Sequence, residues 1–143
     1  MIINEFRMVV DSRSVNESFS RTTVSAFAAQ LDPTVEEIND IKTAVSEAVT
    51  NCIVHGYRNS VGKIYIGVKI HDDNRVIITI RDRGCGISDI KKAREPLFTT
   101  LGGDRAGLGF SVMESFTDKL SVRSKIGVGT TVTLCKKICG RTK

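Results

Sequence analysis

The sequence predicts a two-layer α/β sandwich, in which a mixed, mostly antiparallel sheet carries its helices on one face. Three observations predict it. Two pairs of alternating, β-branched segments are each joined by a short turn: KIYIGVKI (63–70) with RVIITIRD (75–82), and KLSVRSKI (119–126) with TTVTLCKK (130–137). Two long segments with helical periodicity come before them. The resulting order, β-α-α-β-β-loop-α-β-β, is built from hairpins and not from strand–helix–strand crossovers, which argues against a doubly wound sheet.

The elements follow in order. EFRMVV (5–10) reads as a first strand, ended by a turn at Asp11-Ser12. Helix one is expected from Val15 to Leu31, with Val15, Phe19, Thr23, Ala26 and Phe27 as its apolar stripe. Asp32-Pro33 breaks the chain. Thr34 then caps helix two, and Glu37 three residues later completes a capping box. That helix is expected to run to about Gly56 on a core stripe of Ile38, Ile41, Val45, Ala48, Val49 and Cys52. Asp72–Asn74 turns the first hairpin and Gly127-Val128-Gly129 the second. Residues 83–107 read as a glycine-rich loop with one short helical stretch at Ser88–Arg94, followed by a helix from Leu108 to Phe116. A loop of that length in so small a domain is expected to be a functional lid.

Composition narrows the class. A chain of 143 residues with 41% hydrophobic and 26% charged residues is a single domain with a real core. No apolar run approaches the ~20 residues that span a bilayer, and the N-terminal segment has no secretory cleavage pattern, so a cytoplasmic protein without membrane contact is expected. Cys52, Cys85, Cys135 and Cys139 contain no C-x-x-C pair, which speaks against a zinc site and fits reduced thiols. The net charge of +5 suits an anionic partner or nucleotide, but no aromatic residues alternate with the Lys and Arg, so direct nucleic-acid binding is not expected. Residues 138–143 read as a solvated basic tail.

Four short patterns carry chemistry. Glu47 and Asn51, roughly 40° apart around helix two, share one face at the border of the core, and His55 continues the row. A carboxylate there can accept a proton or orient a nucleophile, and an amide oxygen is a hard ligand suited to Mg²⁺. Asp82-Arg83-Gly84-Cys85-Gly86 leaves a strand directly: the carboxylate can accept from the exocyclic amine of a base, and the glycines let backbone approach a ligand. Gly107-Leu108-Gly109 opens a helix, where backbone amides form an anion site. Gly127-x-Gly129-Thr130 leads into the last strand. Each pattern alone is weak. A solvated glutamate, a plain turn or a hairpin would explain any one of them.

In this order and spacing the set resembles the N box and glycine boxes of the GHKL ATPases, whose fold is the Bergerat α/β sandwich. The competing G-x-x-x-x-G-K-[ST] and H-R-D/D-F-G signatures are absent from the sequence. SEAVTNCIVHGY, RDRGCGISDI, REPLFTT, GLGFSVMESFTD and the early VNESFSRTTVSAFAAQLDP further resemble the anti-sigma-factor serine kinases, and most closely their sporulation branch, over about residues 5 to 138.

That resemblance implies a residue-by-residue assignment over one domain spanning 1–143. Glu47 would be the general base aimed at an acceptor serine, and Asn51 the Mg²⁺ ligand and an ATP contact beside His55. Asp82 would bind adenine, with Gly84, Gly86 and Ile87 shaping the purine slot and Thr130 backing the base. Thr99 and Thr100 would begin the lid, Arg105 would clamp phosphate from within it, and Gly107, Leu108, Gly109 and Phe110 would hold the phosphates. Arg21 would lie where a sigma factor and an anti-anti-sigma factor dock on a homodimer. The lid, TTLGGDRAGLG, departs from the family pattern: it is glycine-rich and one residue short, which leaves the register of Arg105 open. Cys85 inside the first glycine box is also unusual. The resemblance implies an ATP-dependent serine kinase that sequesters a sporulation sigma factor. A general-stress anti-sigma kinase of the same family and an ATP-binding module without transfer remain the alternatives.

Overall fold

The computed structural model describes residues 1–94 and 106–141. Strands β1 (Ile2–Asp11), β2 (Lys63–His71), β3 (Arg75–Asp82), β4 (Lys119–Lys125) and β5 (Gly129–Lys137) form a five-stranded sheet in the order β1-β2-β3-β5-β4. Among the described residues every neighbouring pair is antiparallel. The turn at Asn74 is made with φ +67, a left-handed conformation that asparagine tolerates. Ile64, Ile66, Val68 and Ile70 on β2, and Val76, Ile78 and Ile80 on β3, are buried on one face. Period-two alternation carries Asp82 to that same face, so a carboxylate arrives at the end of an apolar row. The first strand is longer than the expected 5–10, because the whole length of β2 offers it partners, from Ile2 opposite His71 to Asp11 opposite Lys63.

Helices α1 (Val15–Ala28), α2 (Val35–Asn51), α3 (Ile90–Ala93) and α4 (Ala106–Ser115) make up the second layer. Helix α1 corrects the expected stripe. Val15 and Phe19 are 71% and 54% exposed and Ala26 is exposed, whereas Ser20, Val24, Ser25 and Ala28 are buried. Small side chains let α1 lie close on α2. The buried hydroxyls are satisfied within their own helix, Ser20 Oγ on Asn16 O (2.6 Å) and Ser25 Oγ on Thr22 O (3.0 Å), so polarity costs little there. Of the expected stripe, Phe27 packs edge-on against Phe6 (centroids 4.6 Å apart). The helix ends at Ala28, and a 3₁₀ turn, Ala29–Leu31, completes the expected span up to Asp32 at φ 51.

Helix α2 is capped as its sequence demands: Thr34 Oγ1 accepts from Glu37 N (3.1 Å), and Glu37 Oε1 accepts from Thr34 N (2.9 Å). Ile41, Ala44, Val45, Ala48 and Val49 are buried. The expected continuous helix to Gly56 instead widens into a π turn, Cys52–Gly56, closed by Tyr57 N on Cys52 O (3.0 Å). Such turns gather at functional sites.

Residues 138–141 are not the expected solvated tail. Ile138 is 1% exposed. Cys139 N and Gly140 N donate to the Glu37 carboxylate (2.7 and 3.2 Å), and Arg141 N donates to Asp32 O (3.0 Å). Basic composition hid this because the anchors are backbone amides, which composition does not report. Burial opposes charge on Glu37, but the amides of Thr34, Cys139 and Gly140 outweigh it and hold its pKa below the ordinary value. A depressed carboxylate stabilises the fold fully above its unfolded pKa and loses that contribution as pH falls through the folded one. Glu37→Gln is therefore expected to lower unfolding stability by about 1–2 kcal/mol at pH 7, from the lost cap and charged acceptor. In urea titrations the difference should narrow below about pH 4; a difference unchanged at pH 3 would contradict the assignment.

Candidate functional site

A cleft of about 390 Å³ opens between the end of α2, its π turn, α3, α4 and the ends of β3 and β5. Of the residues singled out in the sequence, Asn51, His55, Asp82, Gly86, Ile87, Phe110 and Thr130 line it.

Asp82 lies at its floor, 4% exposed. Burial raises its pKa, while the Gly84 amide, which donates to Oδ1 (2.9 Å), and the neighbouring Cys52 thiol and Thr130 amide favour the ionised form. Such a group reaches the floor only if backbone passes close by. A Cβ on Gly56 would stand 2.8 Å from the Asp82 carboxyl carbon, and one on Gly84 would stand 2.1 Å from Gly56 O. Cys85 N closes the contact on Gly56 O (2.9 Å). Gly86 then leaves the turn at φ +79, open to glycine and strained for other residues.

The wall beside Asp82 is a hydroxyl pair. Ser124 Oγ accepts from Ile87 N (2.7 Å), donates to Gly129 O (3.0 Å) and lies 2.8 Å from Thr130 Oγ1. Because the Ser124 proton goes to Gly129, Thr130 donates to Ser124 and keeps its own lone pairs as acceptors. The deep end of the cleft thus offers acceptors, a carboxylate and a hydroxyl oxygen, to a ligand that donates.

The other end has different chemistry. Gly107 and Leu108 stand in the first turn of α4, and Phe110 is buried beneath it. A Cβ on Gly109 would stand 3.1 Å from Asn51 Oδ1 and 3.2 Å from Glu47 Oε2, so glycine there brings the α4 backbone onto the face shared by those two side chains. Asn51 Nδ2 is buried without a hydrogen-bond partner among the described residues. A buried amide left unsatisfied costs about 1–3 kcal/mol, and a ligand oxygen would relieve it. Glu47 is half-buried one turn earlier, beyond the cleft lining. Arg21 does not line the cleft; it is ion-paired with Glu17 on α1 at 2.7 Å. Thr99, Thr100 and Arg105 lie outside the described residues.

Sequence reasoning missed several contributors. Gly56 reads as a helix stop, but its function is proximity to Asp82. Tyr57 OH accepts from Arg83 N (2.7 Å) and donates to Lys63 O, pinning the start of the glycine turn. Arg58, at φ +48, and Lys92 add cations to the cleft lining. Ser124 carried a weak signal: strand alternation gives its face but not its partners.

Comparison with known proteins agrees with this geometry. The sequence profile described as Histidine kinase-like ATPase domain matches residues 11–136. The Anti-sigma F factor of Thermoanaerobacter sp. (strain X514) is 60% identical over 128 residues, covering 89% of each chain. That of Bacillus subtilis (strain 168) is 51% identical over 137 residues, covering 94% of this chain and 93% of its own. Among solved structures, the RsbU and RsbW domains of a Mycobacterium tuberculosis protein align with a TM-score of 0.70 at 22% identity, over 94% of this chain and 32% of that one, a likeness of fold. A histidine kinase domain from Erythrobacter litoralis aligns at 0.57 and 17% identity, over 87% of this chain and 64% of its own. An ATPase domain of this kind binds ATP, and no described helix is long and apolar enough to cross a membrane. With Asp82 under the glycine turn and Asn51 facing α4, the chain belongs to the histidine kinase-like ATPase domain family and, within it, to the anti-sigma F factors.

Proposed function

We propose that this chain, acting as one domain in the cytoplasm, is an ATP-dependent protein serine kinase that also sequesters a sporulation sigma factor. Its phosphoacceptor would be a serine on an anti-anti-sigma factor, and its working form a homodimer with Arg21 in the docking region for both partners. The observation that carries the reading is the polarity of the cleft: buried acceptors at Asp82 and Thr130, and an orphaned amide at Asn51 beside Glu47. Adenine donates from its amine and ATP ends in anionic oxygens, so its two ends match the two ends of the cleft.

The residues present fit Mg²⁺ as well. Asn51 Oδ1, on the face turned to the α4 backbone, is an amide oxygen of the hard kind this ion takes, while the buried Nδ2 can only donate and suits a ligand oxygen. When bound, Mg²⁺ would neutralise phosphate charge, as it does in phosphoryl transfer generally. Asp82, Thr130 and the glycine turn would orient the nucleotide, and the first turn of α4 would supply backbone donors towards its phosphates. Glu47 would accept the proton of the incoming serine hydroxyl and orient its oxygen.

Three substitutions test the assignment. Asp82→Asn is expected to abolish measurable ATP binding with the fold retained; a calorimetric titration that matches wild type would remove Asp82 from base recognition. Asn51→Ala should leave nucleotide affinity nearly insensitive to Mg²⁺, so equal losses on chelation in variant and wild type would place the ion elsewhere. Glu47→Gln is expected to lower single-turnover phosphotransfer by about 10²–10⁴-fold with ATP affinity almost unchanged. Near-wild-type transfer would make Glu47 structural and the chain an ATP-binding module.

A further inference from the structure

Three strands carry a row of polar residues past the floor of the cleft. In the sheet register Thr130 on β5 stands opposite Asp82 on β3 and opposite Ser124 on β4. Asp82 and Thr130 line the cleft and Ser124 does not. Ser124 nonetheless ties together what borders it. Its Oγ accepts from Ile87 N (2.7 Å) at the end of the glycine turn, donates to Gly129 O (3.0 Å) and lies 2.8 Å from Thr130 Oγ1. Gly129 in turn sits against the end of β3, where a Cβ on it would stand 2.2 Å from Asp82 O. A serine hydroxyl has one proton. Given to Gly129 O, it leaves the Thr130 proton to fill the contact between the two hydroxyls, so Thr130 meets the cleft with lone pairs only.

We propose that Ser124 is a positioning residue that makes the cleft select a 6-amino purine over a 6-keto purine, by holding the Thr130 proton away from the ligand. This rests on the reading of the Asp82 floor as the base site. With Ser124 in place, the carboxylate and the Thr130 hydroxyl are both acceptors. The two N–H groups of an exocyclic amine satisfy such a pair. A keto oxygen brings a third acceptor and leaves buried lone pairs facing one another. A threonine hydroxyl alone has no such bias, because it rotates to donate or to accept as its neighbour requires. Discrimination therefore needs a residue behind it that fixes the proton. Ser124 meets that need because its own hydroxyl is held, by Ile87 N on one side and Gly129 O on the other.

The test separates positioning from packing by the ligand group it acts on. ATP and inosine triphosphate, which carries a keto oxygen in place of the 6-amino group, are titrated calorimetrically into wild type, Ser124→Ala, Thr130→Val and the double variant. Wild type should prefer ATP. In Ser124→Ala the freed Thr130 proton can turn to the keto oxygen, so the preference should fall about fivefold, the scale of one hydrogen bond. Loss of the Ile87 contact loosens the glycine turn, weakens both nucleotides alike and leaves the ratio where it was. An unchanged ratio in Ser124→Ala therefore overturns the proposal. On the Thr130→Val background the same change should leave the ratio fixed, since the group it acts through is gone. A shift there as large as in the single variant overturns the proposal too. Where Ser124→Ala does not fold, Ser124→Val, a good strand former without a hydroxyl, replaces it, and a wild-type ratio in it overturns the proposal equally. A wild-type protein that binds both nucleotides alike overturns the reading of the floor itself, and the proposal with it.

Discussion

A carboxylate held under the end of a helix is the constraint from which much of this architecture follows. Leaving Asp82 buried and charged would cost several kcal/mol were it unpartnered. The chain meets it from three directions: the Gly84 amide donates to Oδ1 from its own turn, and Thr130 on the neighbouring strand and Cys52 in the helix layer favour its charge. Those directions converge only if the backbones at residues 56 and 84 nearly touch, and any side chain at either position would prevent it. Two of the glycines in this small domain are therefore fixed by one acid. So is the widening of α2 at Cys52–Gly56, which brings the bare Cα of Gly56 to the same carboxylate.

The sheet supports this in turn. Asp82 faces the helices because Val76, Ile78 and Ile80 do, and a slip of one residue against β2 or β5 would turn the row, and the acid with it, to the open face. Core burial therefore sets the register that places the functional group. The hydroxyl pair of Ser124 and Thr130 depends on the β4–β5 pairing in the same way, since those two residues stand opposite each other.

Sequence legibility followed the range of the interaction. Both hairpins, the Thr34–Glu37 capping box and the Asp82 turn rest on local rules, alternation, cap chemistry and glycine, and each was readable within a few residues. Helix α1 misled because hydrophobicity alone marks Val15 and Phe19 as core, whereas close helix packing selected Ser20, Ser25 and Ala28. The anchored C-terminus depends on contacts about a hundred residues apart in sequence, Glu37 with Cys139 and Gly140, and no local pattern encodes them. Within the site the pieces were legible but their mutual distances were not. Gly109 against Asn51 and Glu47, and Ser124 bridging Ile87 to Thr130, exist only once the layers are packed.

The two ends of the cleft treat unsatisfied polarity in opposite ways, and that asymmetry bears on how the site works. At the floor the polar groups have partners within the protein: Asp82 accepts from Gly84 N, and Ser124 and Thr130 bond each other. At the far end the Asn51 amide has no partner among the described residues. A prepared floor requires no rearrangement to receive a base, so recognition there draws on preorganisation. An unpartnered amide instead raises the energy of the empty protein and is relieved by whatever ligand oxygen reaches it. On the function proposed, the deep end would set which base enters, while the Asn51 end would make affinity depend on what the ligand carries beyond the base. A protein that distinguished nucleotides by their phosphates would need that division, which on the function proposed would fall on the face of α2 that also carries Glu47.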